Sequence, residues 1–245
     1  MRDEVLIRSF VTGKKREFLI AHPDWRGTEK EETRIQKLLD RRKKGEPLAY
    51  ILGRKSFYGR DFIVTPDVLI PRPETESLID IIKMLNPSSV LDVGTGSGCI
   101  AITTKLELPD TKVVAVDISR NALAVARKNA KELGAEIEFR ESDLLESIDD
   151  KFDLIVANLP YVDETWDWIG EELAYEPELA LFAEDSGLAK IKRLLIDVAK
   201  KYSTNTLLLE MDPCQTETIK RFAEKMGFRE ELTGVNTDFA LLLKM

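Results

Sequence analysis

The sequence predicts a doubly wound α/β protein: a mostly parallel sheet of seven strands with an antiparallel last strand, preceded by a small helical region. Three observations carry this. From residue 88 onward, short apolar runs alternate with helical patterns. A glycine-rich turn, residues 94–98, joins the first such run to the first helix. The last apolar run, 239–243, follows its predecessor after only a short turn, which predicts that it lies antiparallel to its neighbour. Strands apolar on both faces must be covered by helices on both sides, which is the layering of a parallel sheet.

The elements follow in order. Residues 1–45 read as helical, with an apolar patch at Val5, Leu6 and Phe10 and a second at Phe18-Leu19-Ile20. A further helix starts at Thr28 as N-cap, shows Ile35, Leu38 and Leu39 on one face, and stops at Gly45 and Pro47. In residues 48–70 the runs Tyr50-Ile51-Leu52-Gly53, Phe57-Tyr58-Gly59 and Phe62-Ile63-Val64 read as short strands broken by glycine turns. Pro66, Pro71 and Pro73 impose an extended connector that excludes helix until after Pro73. Strands are then expected at 90–93, 113–116, 137–139, 154–157, 207–209, around 230–233 and at 239–243. Helices are expected at 98–107, 119–134, about 187–202 and about 215–226. The resulting organisation is a small helical domain at 1–46, a hairpin and proline-rich connector at 47–75, and the main domain at 76–245.

Composition narrows the function classes. Of 245 residues, 43% are hydrophobic and 33% charged, the balance of a globular protein with a real core. No apolar run reaches the roughly 20 residues of a membrane span, and the first residues lack a signal-peptide layout, so a cytoplasmic protein is expected. One histidine, His22, and two cysteines, Cys99 and Cys214, offer no paired-ligand spacing, so no metal is expected. The cysteines read as reduced core fillers and His22 as a surface turn residue. Residues 1–60 hold 16 Lys and Arg against 9 Asp and Glu, whereas the rest of the chain holds 20 against 35. An acidic main body argues against a grip on nucleic-acid phosphates. The run Arg41-Arg42-Lys43-Lys44 reads as a solvated helix end rather than a docking patch for an anionic partner.

The glycine turn is Asp92-Val93-Gly94-Thr95-Gly96-Ser97-Gly98, with Cys99 where a dinucleotide fingerprint has its third glycine. Glycines there let the chain turn sharply and let its backbone approach a ligand. Asp117 ends the second strand, at the distance needed to reach ribose hydroxyls. Ser142-Asp143-Leu144 follows the third strand, where a carboxylate can accept from an adenine amino group. Glycine loop, ribose acid and adenine acid in this order favour S-adenosylmethionine as cofactor. Asp92 either orients the loop or contacts the methionine amino group.

Asn158-Leu159-Pro160-Tyr161 leaves the fourth strand at the carboxyl edge of the sheet, where ligands of such sheets bind. Methyl transfer from a sulfonium needs an in-line lone pair. The lone pair of an amide or aromatic amine is delocalised. Hydrogen bonds from its N–H groups to the Asn158 side-chain oxygen and to a backbone carbonyl would hold the nitrogen and concentrate its electron density, while Tyr161 stacks on the planar group.

With these motifs the chain resembles the release-factor glutamine methyltransferases of the HemK/PrmC type, which modify the glutamine of a Gly-Gly-Gln motif. The resemblance covers most of the chain. Its most specific stretches are Gly45-Glu46-Pro47-Leu48-Ala49-Tyr50-Ile51-Leu52-Gly53, Phe57-Tyr58-Gly59 and Leu69-Ile70-Pro71-Arg72-Pro73-Glu74-Thr75-Glu76. Tyr175-Glu176-Pro177, Ala180-Leu181 and Ser186-Gly187-Leu188 also match. The resemblance implies a Rossmann-like class I methyltransferase fold, with Gly94–Gly98, Asp117, Leu144 and Asn158 at the cofactor. It implies that Asn158–Tyr161 hold the substrate glutamine and perform the chemistry. Ile70–Thr75, including Pro71, Arg72 and Pro73, would wall the pocket, and the helical N-terminal region would dock the release factor.

Two departures stand out. Leu159 replaces the family's usual proline, which either keeps the carbonyl acceptor and loosens the loop or marks altered substrate choice. The N-terminal helical region is shorter than the family norm. The rival readings are a nucleic-acid adenine methyltransferase, whose loop can carry the same tetrapeptide, and a non-catalytic cofactor-binding scaffold. Trp166 and Trp168 are candidates for a flap over the substrate. A monomer is expected.

Overall fold

Leu91 and Ile155 are register partners in neighbouring parallel strands of the computed structural model, although a strand–helix–strand series lies between them in sequence. The structure describes residues 2–245 except Trp168, Ile169, Tyr202, Ser203, Thr233 and Asn236. The chain divides into two units: Met1–Arg54 with Gly170–Tyr175, and Lys55–Ile169 with Glu176–Met245.

The first unit contains helices α1 (Arg2–Thr12), α2 (Arg16–Ala21), α3 (Glu29–Lys43) and α4 (Leu48–Leu52). Thr28 starts α3 with a reciprocal cap: its hydroxyl accepts from Glu31 N at 3.3 Å, and the Glu31 carboxylate accepts from Thr28 N at 2.7 Å. Such caps contribute about 0.5–2 kcal/mol. Ile7, Ile35, Leu38 and Ile51 form the core of this unit.

Two expectations are corrected here. Tyr50-Ile51-Leu52 is not a strand but helix α4, entered from Pro47 and closed by Gly53 in the left-handed region at φ 70°. A proline before and a glycine after are helix punctuation, and Leu48, Ile51 and Leu52 all pack on the α1–α3 core. Nor is the basic run merely solvated. Arg42 pairs with Asp3 at 2.7 Å and with Glu172 at 2.6 Å, and Arg41 pairs with Glu46.

In the second unit, β1 (Arg54–Phe57) and β2 (Arg60–Ile63) form a two-stranded ribbon. Tyr58 and Gly59 both take positive φ, as a tight two-residue hairpin turn requires. Helix α5 (Glu76–Leu85) follows the prolines. The alternation then runs β3 (Ser89–Val93), α6 (Cys99–Glu107), β4 (Lys112–Asp117), α7 (Arg120–Leu133), β5 (Glu138–Glu141) and β6 (Leu154–Ala157). It continues with α8 (Glu178–Leu181), α9 (Ala189–Lys201), β7 (Thr206–Glu210), α10 (Thr216–Lys225), β8 (Arg229–Glu230) and β9 (Ala240–Lys244).

Among the described residues these strands form one seven-stranded sheet in the order β5-β4-β3-β6-β7-β9-β8. Pairings from β5 to β7 are parallel, while β9 is antiparallel to both β7 and β8. This is the Rossmann-like methyltransferase sheet the sequence predicts; Thr233, in the expected sixth strand, lies outside the described residues. Successive strand residues face opposite sides. Leu91, Ile155, Leu207, Leu209 and Leu243 pack with α9 and α10, whereas Val90, Leu154, Val156, Leu208 and Leu242 pack with α5 and α6. Each such fully buried aliphatic side chain contributes roughly 1.5–3 kcal/mol. Strand order reverses at β3, which has β4 on one side and β6 on the other; a crevice at such a point is where sheets of this kind bind ligands.

Candidate active site

The crevice is a cleft of about 1070 Å³ counted out to its mouth, built wholly within the second unit. Its floor is the turn after β3. Gly94 and Thr95 donate their N–H groups to Val116 O at 2.9 and 3.0 Å, which anchors the turn to β4. Gly94, Gly96 and Gly98 all take positive φ. A side chain at Gly94 would press on Leu159 Cδ2 at 3.0 Å, and one at Gly98 on Ile102 and Ala126 of the helices behind. Gly98 thus serves helix packing, and among the described residues it does not line the cleft.

Asp92 is fully buried beneath this turn and likewise does not line the cleft. Its Oδ2 accepts from Thr95 Oγ1 at 2.6 Å and from Ala101 N at 3.2 Å, which fixes the loop to the start of α6. Its Oδ1 has no hydrogen-bond partner. Burial pushes this carboxyl up to about 7.

Asp117 stands at the rim. Its Oδ2 accepts from Gly96 N at 2.9 Å and its Oδ1 from Ser119 N at 2.8 Å, while burial raises its pKa. Thr95, Ser97, Asp143 and Leu144 also line the cleft. The Asp143 carboxylate accepts from Arg193 Nη1 at 2.7 Å, and Leu144 is held at φ 49°. The far wall is the proline-rich connector: Val68, Leu69, Pro71, Arg72 and Thr75 line it, but Pro73 does not. Glu176, 6% exposed, ties this wall down by accepting from Ile70 N at 2.9 Å and from the Arg72 guanidinium.

Asn158, Leu159 and Pro160 line the cleft at the end of β6. The Asn158 amide is gripped from behind: Nδ2 donates to Glu210 Oε1 at 2.7 Å and to Thr75 Oγ1 at 3.3 Å. That leaves Oδ1 as the end turned away from Glu210. Leu159 is buried in the main core against Gly94, so its side chain anchors the loop instead of loosening it. Tyr161 sits one step off the cleft, its phenol pushed up by burial. Its backbone oxygen accepts from Gln215 Nε2 at 2.8 Å. Trp166 is half-buried and outside the cleft lining, and Trp168, the other residue of the expected flap, lies outside the described residues. Cys99 is buried as expected, but Cys214 is exposed; the short turn Pro213–Gln215 buries Gln215 instead.

Sequence reasoning missed Glu210, Gln215, Asn129 and Arg193, and it placed Glu176 in a matching stretch without giving it a role. Asn129, 1% exposed, donates to Ser97 O at 2.9 Å and to Ile63 O at 3.0 Å, joining the glycine turn to β2. Two of these leave a trace in the sequence. Glu210 follows three consecutive leucines in its strand, and Asn129 interrupts an apolar helix face.

The geometry can be set beside known proteins. A family model described as the PrmC N-terminal domain matches residues 2–53, and one described as the methyltransferase small domain matches residues 73–177. The release factor glutamine methyltransferase of Koribacter versatilis (strain Ellin345) is 47% identical over 197 residues, which cover 77% of this chain and 70% of that protein. The release factor glutamine methyltransferase of Bacteroides thetaiotaomicron is 41% identical over 206 residues, covering 80% and 74%. A crystal structure of a methyltransferase from Pyrococcus furiosus shares the fold at TM-score 0.57 and 16% identity, covering 87% of this chain and 96% of that one.

Proposed function

Because the chain belongs to the release factor glutamine methyltransferases, we propose that it transfers a methyl group from S-adenosylmethionine to the side-chain amide nitrogen of a glutamine in a peptide-chain release factor. The observation that carries this reading is the Asn158 amide, lining the cleft with its Nδ2 end already bonded to Glu210 and Thr75. Its oxygen is then the end free to accept an N–H.

The cleft residues suit the cofactor. Gly94 and Gly96 leave bare backbone for close approach, Asp117 offers carboxylate oxygens to hydroxyl groups, and Val68, Leu69, Ile118 and Leu144 provide apolar faces for a base. When bound, S-adenosylmethionine supplies an electrophilic methyl group on a sulfonium. The protein's own part is positioning. Asn158 Oδ1 and a backbone carbonyl of the 158–161 loop accept the two N–H bonds of the glutamine amide. These acceptors hold the nitrogen in line and stabilise the positive charge it gains as the N–C bond forms. One N–H proton then passes to solvent water, which restores a neutral N-methyl amide. Leu159 packing keeps the loop carbonyls in register, and Arg72, held by Glu176, stiffens the facing wall.

The relatives' activity and the acidic body both weigh against a nucleic-acid adenine substrate. Incubation of an unmodified release factor with radiolabelled S-adenosylmethionine tests the proposal. Label should enter the factor, and it should not enter when Asn158→Ala replaces the wild type.

A further inference from the structure

Glu210 occupies a costly position. It closes β7 after three leucines, is 1% exposed, and its Oε2 is buried without a hydrogen-bond partner. Its Oε1 accepts from Asn158 Nδ2 at 2.7 Å, and the Thr75 hydroxyl, itself 2% exposed, meets the same Nδ2 at 3.3 Å. An orphaned carboxylate oxygen destabilises a fold, and a leucine would extend the strand without that cost. Burial pushes the Glu210 carboxyl up to about 7, against the lowering influence of Thr75 and Asn158. Glu210 does not line the cleft; Asn158 stands between them.

We propose that Glu210 is a positioning residue for methyl transfer: its ionised carboxylate binds Asn158 by the NH2 end, so that Oδ1 faces the acceptor nitrogen, and its charge polarises that amide. This rests on the glutamine-methyltransferase reading above. The two ends of an asparagine amide have nearly the same shape, so the neighbours decide which way round it sits. An ionised carboxylate only accepts, and so fixes Nδ2 toward itself. A protonated one can donate to Oδ1 instead, which turns N–H groups toward the substrate's own N–H groups.

In the reaction, nitrogen's electron pair forms the N–C bond, sulfur keeps the electrons of the broken S–C bond, and one proton passes from the nitrogen to solvent water. Polarised Oδ1 opposes the positive charge that accumulates on nitrogen meanwhile. The groups that bear on Glu210 are Glu74, the Tyr161 hydroxyl and the Cys99 thiol; Tyr161 also feels Asp212 and Arg72, and Cys99 also feels Asp92. Tyr161 and Cys99 are both pushed upward by burial and stay protonated at neutral pH, which leaves Glu210 and Asp92 to titrate there.

The test compares wild type with Glu210→Gln at saturating cofactor across the neutral pH range. Calorimetry of S-adenosylhomocysteine binding and thermal melting run alongside it. The variant should lose about 10- to 100-fold in kcat, with KM for the release factor and S-adenosylhomocysteine affinity within about twofold. Wild-type kcat should rise through a step near pH 7 that the variant lacks. Glu210→Asp, which keeps the charge, should retain that step. Unchanged kcat in Glu210→Gln, or a loss confined to KM or cofactor affinity, overturns the role. So does a variant that fails to fold, because removing a strained buried charge should raise the melting temperature. Failure of the wild type itself to methylate any release factor counts instead against the underlying reading, and is seen without any variant.

Discussion

Gly187 leaves no room for a side chain beside Tyr161: a Cβ there would lie 2.0 Å from the Tyr161 carbonyl oxygen and 2.7 Å from Gln215 Nε2. Its φ of +79° adds a backbone conformation that other residues resist. Gly187→Ala must therefore push the 158–161 loop out of place. We expect a loss of at least about 10-fold in kcat and a destabilisation of about 1–3 kcal/mol, checked by steady-state kinetics and denaturant melts.

Gln215 holds the same loop from the other side. Its Nε2 donates to Tyr161 O at 2.8 Å and to Ser186 O at 3.0 Å, and the residue is 4% exposed. Gln215→Leu removes the donor that both Tyr161 O and Ser186 O accept from, a loss of about 0.5–1.5 kcal/mol per hydrogen bond. Tyr161 does not line the cleft, so S-adenosylhomocysteine affinity should hold while turnover falls. A calorimetric titration that showed cofactor affinity collapsing with turnover would contradict this division of labour.

Asp117 accepts from Gly96 N and faces the cleft with a carboxylate. Asp117→Asn keeps the shape but replaces one acceptor with a donor. Cofactor affinity should fall by about 10- to 100-fold, read directly by calorimetry with S-adenosylhomocysteine.

Stability should carry the sign of the buried acids. Burial holds Glu210 at about 7 in the fold, above its ordinary value near 4.5. The folded state thus binds this proton more tightly. Its contribution to stability is fully present below the unfolded value and is lost as pH rises through about 7. Glu107, Glu138 and Asp150, lowered by Lys83 and Arg140, act in the opposite sense, contributing above the carboxylate range and fading on acidification. Comparing wild type with Glu210→Gln isolates one group. The variant should gain on the wild type from acid to mildly alkaline pH by up to about 3 kcal/mol. Parallel melting curves at all pH values would rule out the buried charge.

How much of this could be read from residues alone follows from the range of each interaction. The turn Gly94–Gly98 and the strand ends at Asp117 and Asn158 were legible because local spacing specifies them. Thr28 announced the start of α3 for the same reason. Tyr50–Leu52 misled because a five-residue apolar run fits strand or helix, and Pro47 and Gly53 had to arbitrate. The grip on Asn158 was hidden because Thr75 and Glu210 come from segments 83 and 52 residues away. Leu159 reads as a departure in sequence, yet its burial against Gly94 makes it part of the loop's anchor. Arg42 looked solvated because Asp3 and Glu172 meet it only in the fold.

The most direct test of the account is to locate the transferred methyl. An unmodified release factor is treated with the protein and S-adenosylmethionine, then digested and sequenced by fragmentation mass spectrometry beside an Asn158→Ala control. The account predicts one added methyl on the side-chain nitrogen of the Gly-Gly-Gln glutamine, absent in the control. A methyl on another residue, or an unmodified factor alongside methylated ribosomal RNA adenines, would contradict it.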